Sequence, residues 1–199
     1  FDTVCHEHLE YYSTEVIINL CKKHSLKVFN IIQNDINGAS KQYYISHANS
    51  KYKINHKTID AILNNEKLLK LRDVKTYKKF MHSINKSKNQ LMKRLKSFVK
   101  KGKKIHCYGA STKGNVLLQY YGINNKIVEF AAERNKLKYN LLTPGSKIKI
   151  ISEKLSRSLK PDYYLVLPWH FKNEILTREK SVRKKGVKFI FPLPSLKII

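Results

Sequence analysis

Apolar and polar positions in the second half of the chain form a repeating pattern. Short apolar runs, each suited to a buried strand, occur at residues 104–108, 127–132, 163–167 and 188–191. Between these runs, apolar residues three and four positions apart predict helices at residues 115–121, 153–159 and 173–183. Strands that alternate with helices predict a parallel sheet with right-handed crossovers. Residues 102–199 are therefore predicted to form a Rossmann-like α/β subdomain.

The first half of the chain begins with a pattern typical of a helix and a strand pair. Ser13 suits a helix N-cap, and Glu15 suits the first turn of the helix that follows. Two β-prone segments at residues 27–32 and 42–46, separated by a turn signal at residues 34–38, predict two neighbouring strands. The residues that the helix is expected to bury on one face are Val16, Ile17, Leu20 and Cys21.

Two further helices complete the first hundred residues. One is predicted at residues 58–71, and a longer one at residues 74–101, ended by Gly102. Lysines cover the long helix except on one apolar side, which is formed by Phe80, Ile84, Leu91, Leu95 and Phe98. Residues 1–101 are therefore predicted to form a small α+β segment that precedes the Rossmann-like subdomain. The chain as a whole is predicted to be an α/β protein.

The composition is strongly basic but does not by itself identify a partner. The 199 residues carry a formal net charge of +26, which is compatible with a nucleic acid or an anionic surface as partner. Only six of the 40 basic residues are arginines, the residue type favoured for bidentate recognition of phosphates and bases. The lysines accompany many Asn and Ile residues, whose codons are also AT-rich, so genome composition accounts for the excess. We expect no nucleic-acid partner, and a basic nucleic-acid-binding module is the alternative.

Three other classes of protein are disfavoured by the residues present. No stretch approaches the ~20 apolar residues that cross a bilayer, so we expect no membrane partner. Cys5, Cys21 and Cys107 are odd in number and widely spaced, which favours a reducing, cytoplasmic setting over a disulfide framework. Because the sequence has no Cys-x-x-Cys pair, we expect no structural zinc site within this chain.

The highest concentration of proton-transfer groups lies at the start of the chain. His6, Glu7 and His8 follow one another, and Tyr11 and Tyr12 come shortly after them. The two histidines could ligate a metal, although further ligands are lacking, or they could be hydrogen-bonded residues of a loop. One of them could instead be a general base, because imidazole exchanges protons near neutral pH. The residues alone leave these three interpretations open.

A turn flanked by glycines follows the first strand of the predicted sheet. Residues 109–114, GASTKG, precede a helix, and backbone amides at such a place attract an anion. The turn matches neither the GxGxxG fingerprint nor a Walker loop. We predict that Ser111, Lys113, Gly114 and Asn115 bind a phosphorylated part of a substrate. The alternative is a tight strand-to-helix turn that binds nothing.

A second candidate position follows the strand predicted at residues 163–167. Ligands of open α/β sheets bind beyond the carboxyl ends of the strands. Trp169 and His170 come directly after this strand, so both are candidates for substrate binding. The alternative for Trp169 is an anchor in the core or at a domain interface.

Several long motifs, taken in order, resemble one family. They include CHEHLEYYS at residues 5–13, YGASTKGN at residues 108–115, KPDYYLVLPWHFKNEI at residues 160–175 and KFIFPLP at residues 188–194. These motifs resemble the C-terminal domain of SAM-dependent sugar C-methyltransferases, which place a methyl group on C3 of a nucleotide-linked 4-keto-hexose. The resemblance covers essentially the whole chain. It implies an upstream zinc-binding module and an upstream S-adenosyl-L-methionine domain, so neither zinc nor SAM is expected to bind this chain itself.

The resemblance also implies roles for the residues at the start of the chain. His8 is expected to remove the proton next to the ketone. Glu7 is expected to orient His8 or to hydrogen-bond the sugar. The other residues of this segment that are expected to bind the nucleotide-sugar substrate are His6, Tyr11 and Tyr12.

One departure from the family concerns Cys5. The family often has tyrosine at this position, so the role of that hydroxyl as a donor is left unfilled here. Because this hydroxyl is missing, a non-catalytic scaffold descended from the family is a further alternative.

The resemblance also implies the reaction. An enolate forms, and its carbon attacks the methyl group of SAM without a metal.

Overall fold

The computed structural model describes residues 1–36 and 39–199, which divide into two compact units. Unit 1 consists of Phe1–Leu9 together with Ser83–Ile199, and unit 2 consists of Glu10–His82. Unit 2 has one cluster of buried apolar residues, and unit 1 has two, one on each face of its sheet.

The compact units do not coincide with the segments predicted from the sequence, 1–101 and 102–199. The boundary falls inside the long helix because the second part of that helix packs on the sheet of unit 1. Ile84, Leu91 and Leu95 are buried in the same cluster as the apolar residues of the central strands. Helical periodicity continues through the whole helix, so it gives no sign of this boundary.

Unit 2 contains the predicted strand pair and two helices. Its elements are α1 (Thr14–Lys23), β1 (Leu26–Asn34), β2 (Ser40–His47) and α2 (His56–Leu68), followed by the first part of α3 (Val74–Lys100). The two strands are antiparallel, which confirms the predicted pair. Of the predicted turn at residues 34–38, Asn37 and Gly38 lie outside the described residues.

Helix α1 begins where the sequence predicts but buries a different face. The side chain of Ser13 accepts a hydrogen bond from the backbone amide of Val16, which confirms the N-cap. Cys21 is buried, whereas Val16 and Leu20 are each 46% exposed, so the predicted buried face is wrong in part. The reason is that only the stripe of Ile17, Ile18 and Cys21 packs on the core that β1 and α2 provide.

Unit 1 is built on a six-stranded sheet. Its strands are β3 (Ile105–Tyr108), β4 (Phe130–Glu133), β5 (Lys149–Ser152), β6 (Tyr163–Val166), β7 (Lys188–Phe191) and β8 (Lys197–Ile198), in the spatial order β5-β4-β3-β6-β7-β8. All neighbours are parallel except β7 and β8. This arrangement confirms the predicted α/β fold with a Rossmann-like parallel sheet.

The strands β5 and β8 were not predicted from the sequence. The apolar part of β5 is the pair Ile150 and Ile151, which is too short to give a periodic signal. Strand β8 consists of two exposed residues that pair with β7. Both strands are defined by hydrogen bonds with a neighbouring strand, β4 for β5 and β7 for β8, rather than by a pattern of their own.

The helices of unit 1 cover both faces of the sheet. They are the second part of α3, α4 (Thr112–Tyr121), α5 (Glu153–Ser158), α6 (Lys172–Arg178) and α7 (Lys180–Lys184). The single helix predicted at residues 173–183 is wrong, because the chain leaves helical geometry at Glu179, with φ −95° and ψ 21°. The carboxylate of Glu179 is buried and accepts hydrogen bonds from Arg157 and Tyr108, which fixes the break at this residue.

Candidate functional site

A cleft of about 790 Å³ in unit 1 contains several of the residues predicted to bind substrate. It is lined by the start of the chain and by residues that follow β3 and β4. We call it the α4 cleft, and its lining residues are Val4, Cys5, His6, Ala110, Thr112, Asn115, Val116, Gln119, Tyr120, Lys138, Leu141, Leu142, Thr143, Pro144 and Ile150. The volume suits a ligand of the size of a nucleotide.

The start of the chain is attached to unit 1 by two aromatic contacts. The ring of Phe1 stacks on that of Tyr121, with centroids 5.4 Å apart. The indole of Trp169 donates a hydrogen bond of 2.8 Å to the carboxylate of Asp2, which is 4% exposed. These contacts hold the first residues against unit 1 and bring His6 to the α4 cleft.

The three residues of the His-Glu-His motif have different surroundings. His6 lines the cleft with a side chain that is 85% exposed, and the carboxylate of Glu7 lies 4.0 Å from its Nε2 atom. His8 is exposed, is not among the described lining residues, and has its Nδ1 atom 2.7 Å from the carbonyl oxygen of Thr3. The group that contacts Nδ1 of His8 is therefore a backbone carbonyl.

The predicted phosphate-binding turn is closely packed. Ser111 is the N-cap of α4, and its hydroxyl accepts the backbone N–H of Gly114 at 3.1 Å. A Cβ atom on Gly114 would lie 2.8 Å from Cβ of Leu167, so a glycine is needed for the helix to approach the sheet. These two residues thus have structural roles, whatever ligand binds near them. Asn115 lines the cleft, and its Oδ1 atom is buried without a hydrogen-bond partner in the described residues.

Glu133, at the end of β4, holds the turn in place. Its carboxylate accepts hydrogen bonds from three backbone amides, those of Ala110, Arg134 and Asn135, at 2.8–3.0 Å. Burial raises the pKa of this carboxyl, but the hydrogen bonds from the amides outweigh burial and lower the pKa below its usual range. Its charge is therefore largely compensated by the backbone.

Lys138 is a lining residue that sequence reasoning missed. Its ammonium donates to the carbonyl oxygen of Ala110 at 2.9 Å and lies 4.0 Å from the carboxylate of Glu133. The only signal in the sequence is its place five residues after Glu133, next to a second lysine, Lys136, that is not among the lining residues. Which of these two lysines lines the cleft depends on the short 3-10 turn at Lys136–Lys138.

Trp169 and His170 lie together on the other side of the turn. Their rings are stacked, with centroids 4.4 Å apart. Both ring nitrogens of His170 are buried and lack a hydrogen-bond partner in the part of the chain that the structure describes. Burial and the nearby charge of Lys113 lower the pKa of His170. A neutral imidazole is thus held beside Lys113, outside the described lining of the cleft.

Comparison with known proteins identifies the family. The family model for the C-methyltransferase C-terminal domain matches residues 35–194. The chain belongs to this family. It is also 30% identical, over all 199 residues, to C-methyltransferase NovU of Streptomyces niveus. The chain spans about half of that relative, 47% of its length. His6, Glu7 and His8 precede the part that the family model matches, but they fall within the alignment with the relative.

Tyr11 and Tyr12 belong to unit 2 of this C-methyltransferase C-terminal domain. They line a second cleft, of about 880 Å³, in that unit. Beside this cleft, Glu66 accepts hydrogen bonds from the amide and hydroxyl of Thr14 and from the ammonium of Lys41. Tyr11 and Tyr12 are 56% and 53% exposed, respectively.

The C-methyltransferase C-terminal domain offers no cluster of side chains suited to a metal. Within residues 1–36 and 39–199, no group of three His, Cys, Asp or Glu side chains could hold an ion. No helix in the same ranges has the length and apolar character needed to cross a membrane.

Glu133 does not offer the free carboxylate that a dinucleotide-type site would use. In a dinucleotide-type site, the acid that follows the second strand binds ribose hydroxyls. Here that acid is Glu133, whose carboxylate is taken by backbone amides. The residues present therefore do not fit a nucleoside-binding site of this type at Glu133.

Proposed function

We propose that this chain is the C-terminal domain of a SAM-dependent C-methyltransferase that acts next to the ketone of a nucleotide-linked ketosugar. In this proposal it supplies the base and holds the substrate. The observation that carries it is that His6 of the His-Glu-His segment lines the same cleft as Ala110 and Asn115, which follow β3, in a chain that belongs to the C-methyltransferase family. A basic group beside an anion-binding region is what proton removal from a nucleotide-linked sugar requires.

His8 is the base in this proposal. A backbone carbonyl only accepts hydrogen bonds, so the contact with Thr3 puts the proton of a neutral His8 ring on Nδ1. The Nε2 atom then carries the lone pair that removes a proton. Glu7 hydrogen-bonds the sugar or orients His8, and His6 contacts the substrate from the wall of the cleft.

The proton next to a ketone is far less acidic than an imidazolium, so His8 needs help. The developing enolate oxygen must be met by hydrogen-bond donors, each contributing about 3–4 kcal/mol in comparable sites. S-adenosyl-L-methionine supplies the methyl group to the enolate carbon when bound, and we assign its site, and any zinc, to other domains of the whole protein.

Exchange of the substrate proton with solvent tests the role of His8 directly. In D2O, the whole protein without SAM should incorporate deuterium at the carbon next to the ketone of a nucleotide-linked 4-keto-hexose. His8→Ala should abolish this exchange, whereas the neighbouring His6→Ala should retain it. Exchange that persists in His8→Ala would rule out His8 as the base, and the loss of exchange in His6→Ala alone would transfer the role to His6.

The net charge of +26 favours one alternative, a nucleic-acid-binding module. Such a module would bind nucleic acid with an affinity that falls steeply as salt rises. A nucleotide sugar would instead select for its base and depend less on salt. A catalytically inactive scaffold of the same family would bind the nucleotide sugar but fail both the exchange and the methyl transfer. The cytoplasm is the compartment we propose for all three.

A further inference from the structure

We propose that Lys138 binds the diphosphate of the nucleotide-linked substrate in the α4 cleft, beside a wall that takes the nucleobase. This inference rests on the proposed function and deepens it by assigning the two ends of the nucleotide to separate parts of the cleft. It also replaces Lys113, the cation expected from the sequence, with one that lines the cleft.

The charges around the α4 cleft favour an anion. None of its described lining residues is an aspartate or a glutamate, and Lys138 is its lysine. The side chain of Lys138 is 40% exposed, so its ammonium is accessible. An ammonium has three donors, and among the residues that the structure describes only the carbonyl oxygen of Ala110 accepts a hydrogen bond from Lys138.

The neighbouring carboxylate attracts Lys138 electrostatically but takes none of its hydrogen-bond donors. Glu133 lies 4.0 Å from the ammonium, which is beyond the distance of a hydrogen bond. The same carboxylate already accepts the backbone amides of Ala110, Arg134 and Asn135. Glu133 binds the amide of Ala110, and Lys138 binds the carbonyl oxygen of the same residue. This shared contact positions the lysine and leaves two of its donors for a phosphate.

Lys113 is the matched comparison because it belongs to the same turn. It is absent from the described lining of the cleft, and its charge acts on His170 instead. The two lysines therefore present the same charge to different surroundings. Only Lys138 is placed to contact a ligand that occupies the cleft.

The wall of the cleft beyond Lys138 suits a flat ring. Tyr120 lines it with a ring that is held by a hydrogen bond of 2.9 Å from its hydroxyl to Asn85. Leu142, which is 56% exposed, and Pro144 line the same wall. The amide of Gln119 donates to the carbonyl oxygen of Pro144 at 3.1 Å and ties this loop to α4. Aromatic and aliphatic side chains held in this way can stack on a base.

Calorimetric titration of the full 199-residue chain with deoxythymidine diphosphate and uridine diphosphate tests the assignment. Lys138→Gln should weaken the binding of both by about tenfold or more, because it removes a charge-assisted contact. Lys113→Gln should change the affinity by less than about twofold, because a charge outside the cleft is screened. Lys138→Arg, which keeps the charge, should recover most of the affinity. Binding of thymidine, which lacks phosphates, should be the same in wild type and Lys138→Gln.

The outcomes separate this inference from the proposed function. If Lys138→Gln binds both diphosphates as tightly as wild type, or if only Lys113→Gln weakens them, Lys138 is not the anion-binding residue. The proposed function would survive that result wherever the whole protein still exchanges the substrate proton. If the wild type binds neither diphosphate and the whole protein exchanges no proton, both proposals fail. Thermal unfolding of each variant, together with Lys138→Arg, distinguishes a lost contact from a lost fold.

Discussion

The Nδ1 atom of His8 lies 2.7 Å from the backbone carbonyl oxygen of Thr3. Because a carbonyl can only accept, this contact requires the proton of a neutral His8 to be on Nδ1, which makes Nε2 the proton acceptor. The group at Nδ1 of His8 is thus a backbone carbonyl, whereas the family resemblance implied that Glu7 orients His8 or hydrogen-bonds the sugar. The carboxylate of Glu7 lies 4.0 Å from His6 Nε2.

We expect His8→Ala to lower the rate of methyl transfer by about 10²–10⁴-fold, the usual contribution of a positioned base. The affinity for the nucleotide sugar should change little, because the base acts during proton removal and not in binding. The loss should therefore appear in kcat rather than in KM. Steady-state kinetics of the whole protein measure this division. Added imidazole should restore part of the rate in His8→Ala. A rate unchanged from wild type would contradict the assignment.

Gly114→Ala should destabilise unit 1 by about 1–3 kcal/mol, because the new methyl group would lie 2.8 Å from Cβ and Cδ1 of Leu167. The free energy of unfolding, measured in urea, gives this value. The double variant Gly114→Ala/Leu167→Ala should recover part of the loss caused by the clash, beyond what the two single changes predict when added. If Gly114→Ala left stability unchanged but weakened nucleotide binding, the glycine would serve the ligand rather than the packing.

Glu179→Gln should destabilise unit 1 by about 3–5 kcal/mol, the usual cost of breaking a buried ion pair. Glu179 is 2% exposed and accepts hydrogen bonds from the guanidinium of Arg157 and the hydroxyl of Tyr108. Burial raises the pKa of this carboxyl, but those hydrogen bonds outweigh burial and lower it, so the charged form is the one that is bound at neutral pH. The midpoint of urea unfolding measures the change.

Glu174→Gln is the matched control for this loss, because Glu174 lies on α6, which ends next to Glu179, and is exposed. Its substitution should change the free energy of unfolding by less than about 0.5 kcal/mol, as is usual for a surface position. Equal effects from the two variants would show that the ion pair of Glu179 contributes nothing specific.

The stability of unit 1 should fall as the pH decreases from about 7 to 5, because of His106. Burial lowers the pKa of His106, and the opposing charge of Glu129, 3.6 Å away, does not reverse this shift. The unfolded chain therefore takes up a proton near pH ~6.5, at which the folded chain does not, so unfolding is favoured as the pH decreases through that value. Above it, the contribution of His106 to the pH dependence disappears.

The midpoint of urea unfolding measured at several pH values checks this dependence, and His106→Phe provides the comparison. The variant loses the hydrogen bond of 2.8 Å between Nδ1 and the hydroxyl of Ser156, so it should be less stable at pH 7. Its stability should nevertheless change less between pH 7 and 5 than that of wild type. Parallel profiles for the two proteins would exclude His106 as the source of the pH dependence.

Local signals predicted the elements that have their own periodicity or caps. The N-cap at Ser13, the long helix up to Lys100 and the strands of the sheet centre were found in this way. The break at Glu179 was missed because it depends on Arg157, which is distant in sequence. The exposure of Val16 and Leu20 was also missed, because it depends on which side of α1 meets the other elements of unit 2.

The candidate site shows the same division. The motifs at the start of the chain and after β3 could be picked out from the sequence, and His6 and Asn115 do line one cleft. Lys138 could not be picked out, because it is one of 34 lysines and owes its position to Ala110 and Glu133. Tyr11 and Tyr12, although close to His8 in sequence, belong to a different compact unit.

By itself, the sequence determined the fold class, the order of most helices and strands, and the family, because hydrophobic periodicity, caps and long motifs are properties of neighbouring residues. The tertiary structure alone decided which residues share a cleft, that the boundary between the compact units falls within α3, and which lysine lines the α4 cleft. The physical reason is that burial, charge compensation and hydrogen bonding to a neighbour are set by groups far apart in the chain. The contact between His8 and Thr3 is an intermediate case, since it joins residues five apart but depends on a turn that no periodicity reveals.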